Sequence, residues 1–315
     1  MKPFRIGVVG VGSMGYNHAR VCAELPEFEL VAVADSNPSV AQTVAEKFSA
    51  ECYTDASALL GKVDAVSIVA PTVLHYSLSR MFMENGVHVL VEKPITVEAA
   101  EARELAELAE ANHLVFQVGH LERFNPAVVK LRELLRQPIF VETHRLSGKT
   151  TRNLDVGVSW DLMIHDYDLV LSLIQDEVTG ISAQGTSVYS DFEDLASVQL
   201  RFKNGTMAHL SASRNSAERS RGMKVTEADG RVLFVDFIAQ TLSVAVLGSN
   251  GLPTPAEAVP IEKAEPLKDE LIHFAHCLAE HKTPLVSGFD GLRALELAIR
   301  VRDKMNIVKL GTSLI

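Results

Sequence analysis

A glycine triplet, Gly10-Val11-Gly12-Ser13-Met14-Gly15, follows directly on the apolar run 6–9 and opens a helix-forming stretch. Three glycines at this spacing restrict what the segment can be. The first suits a tight turn, the second leaves backbone uncovered, and the third lets a helix lie close against the strand before it. The same strand–helix alternation then repeats. Short runs rich in Val and Ile occupy 4–9, 29–34, 65–69, 88–91 and 114–118, and helix-like stretches fill 13–25, 39–48, 73–85 and 97–112. Continuous rather than alternating apolar runs read as parallel strands buried on both faces. The expectation for residues 1–120 is therefore a doubly wound parallel sheet of the Rossmann type, α/β in class.

Beyond residue 120 the texture changes. A helix over 126–135 leads to an extended segment at 139–147, and a second helical stretch covers 160–173. Successive β-like runs follow at 181–189, 196–202, 207–213, 223–227, 232–237 and 242–246, separated by Asn204-Gly205, Asp229-Gly230 and Asn250-Gly251. Helices over 267–281 and 288–305 close the chain. Residues 121–315 read as an α+β domain with an open-faced, mostly antiparallel sheet.

In its βα context the triplet is a dinucleotide signature: Gly12 lets backbone approach a pyrophosphate, which the helix N-terminus faces. Asp35 ends the second strand 20 residues after Gly15. A carboxylate there can accept from both adenosine ribose hydroxyls and repels a 2′-phosphate, which selects NAD over NADP. Asp35 could equally cap the next helix.

Two further groups carry chemistry. Lys93, in Glu92-Lys93-Pro94, leaves a buried strand at the carboxyl edge of the sheet, where ligands of such folds lie. There it can hold charge against a reacting hydroxyl, although a solvated loop lysine would look the same. Asp161 and His165 stand at i and i+4. A histidine suits removal of an alcohol proton near neutral pH, with the carboxylate orienting it. An idle surface pair or two metal ligands would share that spacing, but no third ligand is evident.

Composition excludes several classes. The net charge of −10 argues against nucleic acid and anionic membranes as partners. No apolar run is long enough to cross a bilayer, and no signal-peptide pattern precedes the first strand. Three scattered cysteines, Cys22, Cys52 and Cys277, predict neither a disulfide framework nor structural zinc, and a reducing cytoplasm follows. No metal is expected.

With these residues in view, the chain resembles the glucose–fructose oxidoreductase and inositol dehydrogenase (Gfo/Idh/MocA) family. The resemblance spans essentially the whole chain. It rests on Gly10–Gly15, Asp35, Pro71-x-x-x-His75, Glu92-Lys93-Pro94, Gly119-His120-x-x-Arg123-Phe124-Asn125-Pro126 and Asp161-x-x-x-His165. It implies that Lys93 and His165 are catalytic and that Asp161 assists. Ser13, Met14, Ala70, Pro71, Thr72, His75 and Glu92 would join the glycines and Asp35 around the NAD. It also implies a homo-oligomer built through the second sheet. The wording of 118–126 and of 160–168 is similar to members that oxidise the 3-hydroxyl of UDP-N-acetylglucosamine on the route to lipid A precursors. Bulkier residues replace the glycines common around the family's Asp–His segment, so substrate does not transfer from the commonest members. A nucleotide sugar brings a diphosphate, for which Arg123, Asn125, Lys149, Arg152, Arg214 and Arg219 are the expected donors. A free-sugar or inositol dehydrogenase is the rival activity, and a non-catalytic NAD-binding sensor the rival class.

Overall fold

The computed structural model describes residues 2–148 and 156–309. In chain order, β1 (Phe4–Val9), α1 (Ser13–Glu24), β2 (Phe28–Ala34), α2 (Pro38–Phe48), β3 (Glu51–Tyr53), β4 (Ala65–Ile68), α3 (His75–Glu84), β5 (His88–Glu92), α4 (Ala99–Ala111) and β6 (Phe116–Gly119) come first. Next are α5 (Pro126–Leu134), β7 (Pro138–Leu146), α6 (Val158–Asp161), α7 (Ile164–Ile174), β8 (Val178–Ser187), β9 (Leu195–Phe202), β10 (Met207–Ser213), β11 (Ser220–Glu227), β12 (Val232–Asp236), β13 (Thr241–Ala245) and β14 (Glu257–Val259). The chain ends with α8 (Pro266–Glu280), α9 (Gly288–Lys304) and β15 (Met305–Lys309).

Two compact units result: Met1–Leu121 with Glu265–Leu295, and Glu122–Ala264 with Glu296–Ile315. A single division at 120/121 was expected, so the assignment of all of 121–315 to the second domain needs correction. α8 and the first part of α9 group with the first unit. The cause is apolar: Leu271, Phe274, Ala275 and Leu278 of α8 are buried in one core with Val21, Cys22, Phe28 and Leu30, and the Phe28 and Phe274 rings lie 6.4 Å apart. Burying such side chains contributes roughly 1.5–3 kcal/mol each, enough to fix where the helix docks.

The sheet of the first unit has the order β3-β2-β1-β4-β5-β6, parallel throughout. β1 and β4 are neighbours at the point where the order reverses, so the turns after them flank the crevice in which such sheets bind ligands. Ile6, Val8, Ala65, Val66, Ile68, Val89, Leu90 and Val91 are fully buried, as two-sided cover requires.

The second unit holds a nine-stranded mixed sheet, β14-β13-β12-β11-β7-β10-β9-β8-β15. Its pairings are antiparallel except β7 with β10 and β8 with β15. Alternate residues of β9 (Ala196, Val198, Leu200, Phe202) turn inward onto α7, whose Ile164, Leu169, Val170 and Leu173 belong to the same core. β3, β14 and β15, short strands or sheet edges, were not expected from the sequence.

Candidate active site

In the first unit the turn after β1 closes through Gly10, whose φ of +83° is left-handed. At Gly15 a Cβ would stand 1.8 Å from the Gly10 carbonyl oxygen, so only glycine lets α1 start there. Gly12 differs from both. A Cβ at Gly12 would meet nothing within 4 Å, and its φ of −64° suits any residue. Protein packing gives no reason for glycine at this position, whereas an approaching ligand does. α1 has neither a side-chain cap nor an acidic residue in its first turn, so its N–H groups and positive dipole end face an anion freely. The cradle fits a dinucleotide pyrophosphate.

Asp35 lies beside this turn, half-buried. Its Oδ2 accepts from the Val11 N–H at 2.9 Å and its Oδ1 from the Asn37 N–H at 2.9 Å. The cap of α2 is Asn37, which accepts from Ser39 and Val40, so Asp35 is not needed as a cap. Each carboxylate oxygen keeps a second lone pair for a ribose hydroxyl.

The ends of β4 and β5 complete this half. Ala70 and Thr72 are half-buried and Pro71 is exposed. His75, expected to line the nicotinamide pocket, is 1% exposed. Its Nδ1 lies 2.8 Å from the Pro94 carbonyl and its Nε2 2.8 Å from that of Ala70. Burial pulls its pKa down against the pull of those carbonyls. His75 thus ties the two loops together and does not itself face a ligand. Glu92 is held similarly, its Oε1 3.2 Å from His18 Nε2 and its Oε2 accepting from the Lys93 N–H at 3.1 Å. His18 Nδ1 is 2.8 Å from Ser67 Oγ. Lys93 is half-buried and precedes a cis peptide to Pro94. His18, Glu92 and Glu270 are the group among the described residues with metal-binding composition. Their ligand atoms lie within 4.8 Å of one another, with His18 already against Glu92 and Ser67.

In the second unit the single helix expected over 160–173 is two. Leu162 and Met163 both donate to the Val158 carbonyl, a widened turn, and Asp166 then donates to Met163 as α7 begins. Asp161 closes α6 and His165 is the second residue of α7, both half-exposed. The residues after His165 are clamped. Arg123 grips Asp168 through two bonds of 2.6 and 2.8 Å, and Arg145 Nε donates to Asp166 at 2.9 Å. Arg145 also reaches Glu122 at 3.0 Å and lies over the Phe237 ring. Burial pushes the Asp166 carboxyl up to about 6, with the Arg145 guanidinium opposing the rise. These buried charges fix the turn that carries His165.

Three expected substrate contacts need correction. Arg123 is 4% exposed and bound to Asp168. Asn125, 2% exposed, caps α5 through the Ala127 N–H and donates to the Phe237 carbonyl. Arg214, 2% exposed, is bound to Asp194 and to the Val156 carbonyl. Buried charge is tolerated only when paired, and these residues are paired internally. Arg219 is exposed, while Lys149 and Arg152 lie outside the described residues. Arg221 closes the basic segment 214–221 but was not among the expected donors. It stands opposite Arg145 in the β7–β11 register, half-buried, on the face that also buries Met223 and Val225. Burial, Arg145 and Arg219 work against its charge more than Glu122 and Asp166 favour it, and no carboxylate among the described residues forms an ion pair with it.

Fold and site together define a nucleotide-binding oxidoreductase. Residues 4–120 match the oxidoreductase family described as an NAD-binding Rossmann fold, and 134–251 match the GFO/IDH/MocA C-terminal domain. The chain belongs to this family and is an NAD-binding dehydrogenase. It is 37% identical to UDP-N-acetylglucosamine 3-dehydrogenase of Acidithiobacillus ferrooxidans over 96% of this chain and 97% of that one. The solved structure of that enzyme superposes with a TM-score of 0.90 over 97% of this chain and 98% of that chain. The scyllo-inositol 2-dehydrogenase (NAD(+)) of Bacillus subtilis is 29% identical over 94% of this chain and 92% of its own length.

Proposed function

We propose that this dehydrogenase oxidises the 3-hydroxyl of UDP-N-acetylglucosamine to the 3-keto sugar. The observation that carries the reading is the end-to-end similarity, at 37% identity, to an enzyme of that name. His165 takes the hydroxyl proton, Asp161 orients it, and Lys93 stabilises the developing alkoxide. NAD, when bound, supplies the hydride acceptor. Gly10, Gly12, Ser13, Met14, Gly15, Asp35, Ala70, Pro71 and Thr72 shape its site, while His75 and Glu92 hold the loops around it. Arg219 and Arg221 are the donors we assign to the diphosphate, together with Lys149 and Arg152, which precede the Asp161–His165 segment in sequence. A homo-oligomer through the second sheet, a cytoplasmic location and a place in lipid A precursor synthesis complete the proposal. No helix among the described residues is long and apolar enough to cross a membrane.

The inositol reading has a specific observation in its favour: internal pairing of Arg123 and Arg214 removes two of the expected phosphate donors. Calorimetry on the NAD-loaded enzyme decides between them. UDP and UDP-N-acetylglucosamine should bind, and Arg221→Gln should raise KM for the nucleotide sugar ~10–100-fold, the worth of a charge-assisted phosphate contact. Turnover of a free inositol with no binding of UDP would refute the assignment.

A further inference from the structure

Glu270 is fully buried, and neither of its carboxyl oxygens has a hydrogen-bond partner among the described residues. An orphaned carboxylate in such a place is costly, and it demands an explanation. The surroundings supply one. Glu270 lies on α8, and a carboxyl oxygen of Glu270, one of Glu92 at the end of β5 and a ring nitrogen of His18 on α1 all stand within 4.8 Å of one another. The other groups that meet here are Ser67 of β4, on His18, and Gln117 of β6, whose side-chain amide donates to the Glu270 carbonyl at 3.2 Å. Lys93 acts on Glu92 from the next position, and His75 feels the Glu92 charge from α3. Desolvation and the Glu92 charge are what bear on Glu270, and no cation among the described residues acts on it directly.

Two carboxylates can only accept, so no hydrogen bond forms between them until one carries a proton. Glu92 has reasons to remain the anion, since His18 and the Lys93 N–H both donate toward it or compensate its charge. Glu270 has none. We propose that Glu270 is a neutral carboxylic acid in the working enzyme, donating a hydrogen bond to ionised Glu92 and so positioning the Lys93 main chain. Glu270 never touches substrate. It acts through Glu92, which holds the Lys93 N–H at 3.1 Å, and the catalytic consequence rests on the role proposed for Lys93.

Burial and Glu92 raise the Glu270 pKa well above the ordinary carboxylate value. The sign follows. The folded state holds this proton more tightly than the unfolded chain, so the contribution to stability is fully present below the unfolded value of ~4.3. It is lost as pH rises through the folded value. Glu270→Gln keeps a donor and cannot ionise, whereas Glu270→Leu keeps the volume and loses the donor.

Infrared spectroscopy of the protein without NAD or substrate, with glutamate carboxyls isotope-labelled, tests the protonation directly. Wild type near neutral pH should show a protonated-carboxyl carbonyl band that Glu270→Gln lacks. The fall in melting temperature with rising pH should flatten in the same variant. In turnover, Glu270→Gln should stay within about 3-fold of wild-type kcat, while Glu270→Leu should lose ~10-fold or more through misplacement of Lys93. Absence of the band, a stoichiometric divalent metal in the purified protein, or Glu270→Leu with wild-type kcat would each overturn the proposal. The infrared and melting measurements use neither cofactor nor sugar, so a wrong substrate assignment leaves them unaffected.

Discussion

Gly12→Ala separates what the glycine turn does for the fold from what it does for NAD. The added methyl meets no protein atom within 4 Å, and φ −64° is open to alanine. Gly12 is the N-cap of α1, where alanine is worse than glycine by about 0.5–1 kcal/mol. Against this, alanine stiffens the unfolded chain and recovers about 0.4–1 kcal/mol. The two nearly cancel, so the melting temperature without NAD should move by no more than ~1–2 °C. With NAD the balance changes, because the methyl stands where pyrophosphate oxygens must reach the α1 N–H groups. Losing a charge-assisted bond costs about 1.5–3 kcal/mol, or ~10–150-fold in Kd. Gly15→Ala is the control: its Cβ at 1.8 Å from Gly10 O must displace α1, costing ~1–3 kcal/mol or more even without ligand. Scanning fluorimetry reads the first effect and calorimetric titration with NAD the second. Gly12→Ala that binds NAD within about two-fold of wild type would refute the pyrophosphate assignment.

Three further outcomes are expected. Asp35→Ala should weaken NAD by ~10-fold or more, since it removes a charged acceptor and frees the Val11 and Asn37 N–H groups, while narrowing the gap to NADP. Comparative kcat/KM values check this, and wild type equally efficient with NADP would contradict it. His165→Ala should cost ~10²–10⁴-fold in kcat and Lys93→Met a comparable amount with NAD binding retained, measured by steady-state turnover and titration. For Asp166, whose carboxyl is raised from 3.8 to about 6, the folded state favours the proton. Its contribution to stability is greatest below ~4 and falls as pH rises to about 6, by ~3 kcal/mol at most. Denaturation of wild type and Asp166→Asn across that window should give curves that diverge, and parallel curves would show that Asp166 does not titrate there.

What was legible in the sequence was local. The glycine triplet, Asp35 and the apolar runs are set by neighbours a few residues away, and the parallel sheet follows from their repetition. Partners of buried charges are not local. Arg123 finds Asp168, Arg145 finds Asp166, and Arg214 finds Asp194 at separations of 45, 21 and 20 residues. In sequence an arginine awaiting phosphate and one buried on a carboxylate look alike. A signal did exist for Arg145: in β7 it follows Val141 and Thr143 on the buried parity, where an unpaired guanidinium could not remain. The same parity marks Arg221 in β11, after which Met223 and Val225 are buried. Glu270 carried the helical form of that signal, standing three residues after Leu267 and four before Phe274 on the apolar face of α8.

That contrast bears on how the two arginines divide the work. Arg145 and Arg221 face each other across β7 and β11, yet Arg145 is fully buried with Asp166 and Glu122, and Arg221 is half-buried, where Arg145 and Arg219 oppose its charge more than Glu122 and Asp166 favour it. Removing Arg145 would strand two carboxylates and loosen the turn after His165, so its loss should fall on stability and kcat together. Removing Arg221 relieves repulsion in the free protein, so it should leave stability unchanged or improved and fall on the affinity for an anionic substrate. A guanidinium held near others of its own sign, with no carboxylate bonded to it among the described residues, is stabilised by an anion that arrives from outside. If Arg221→Gln lowered the melting temperature and left KM untouched, that division of roles would be wrong.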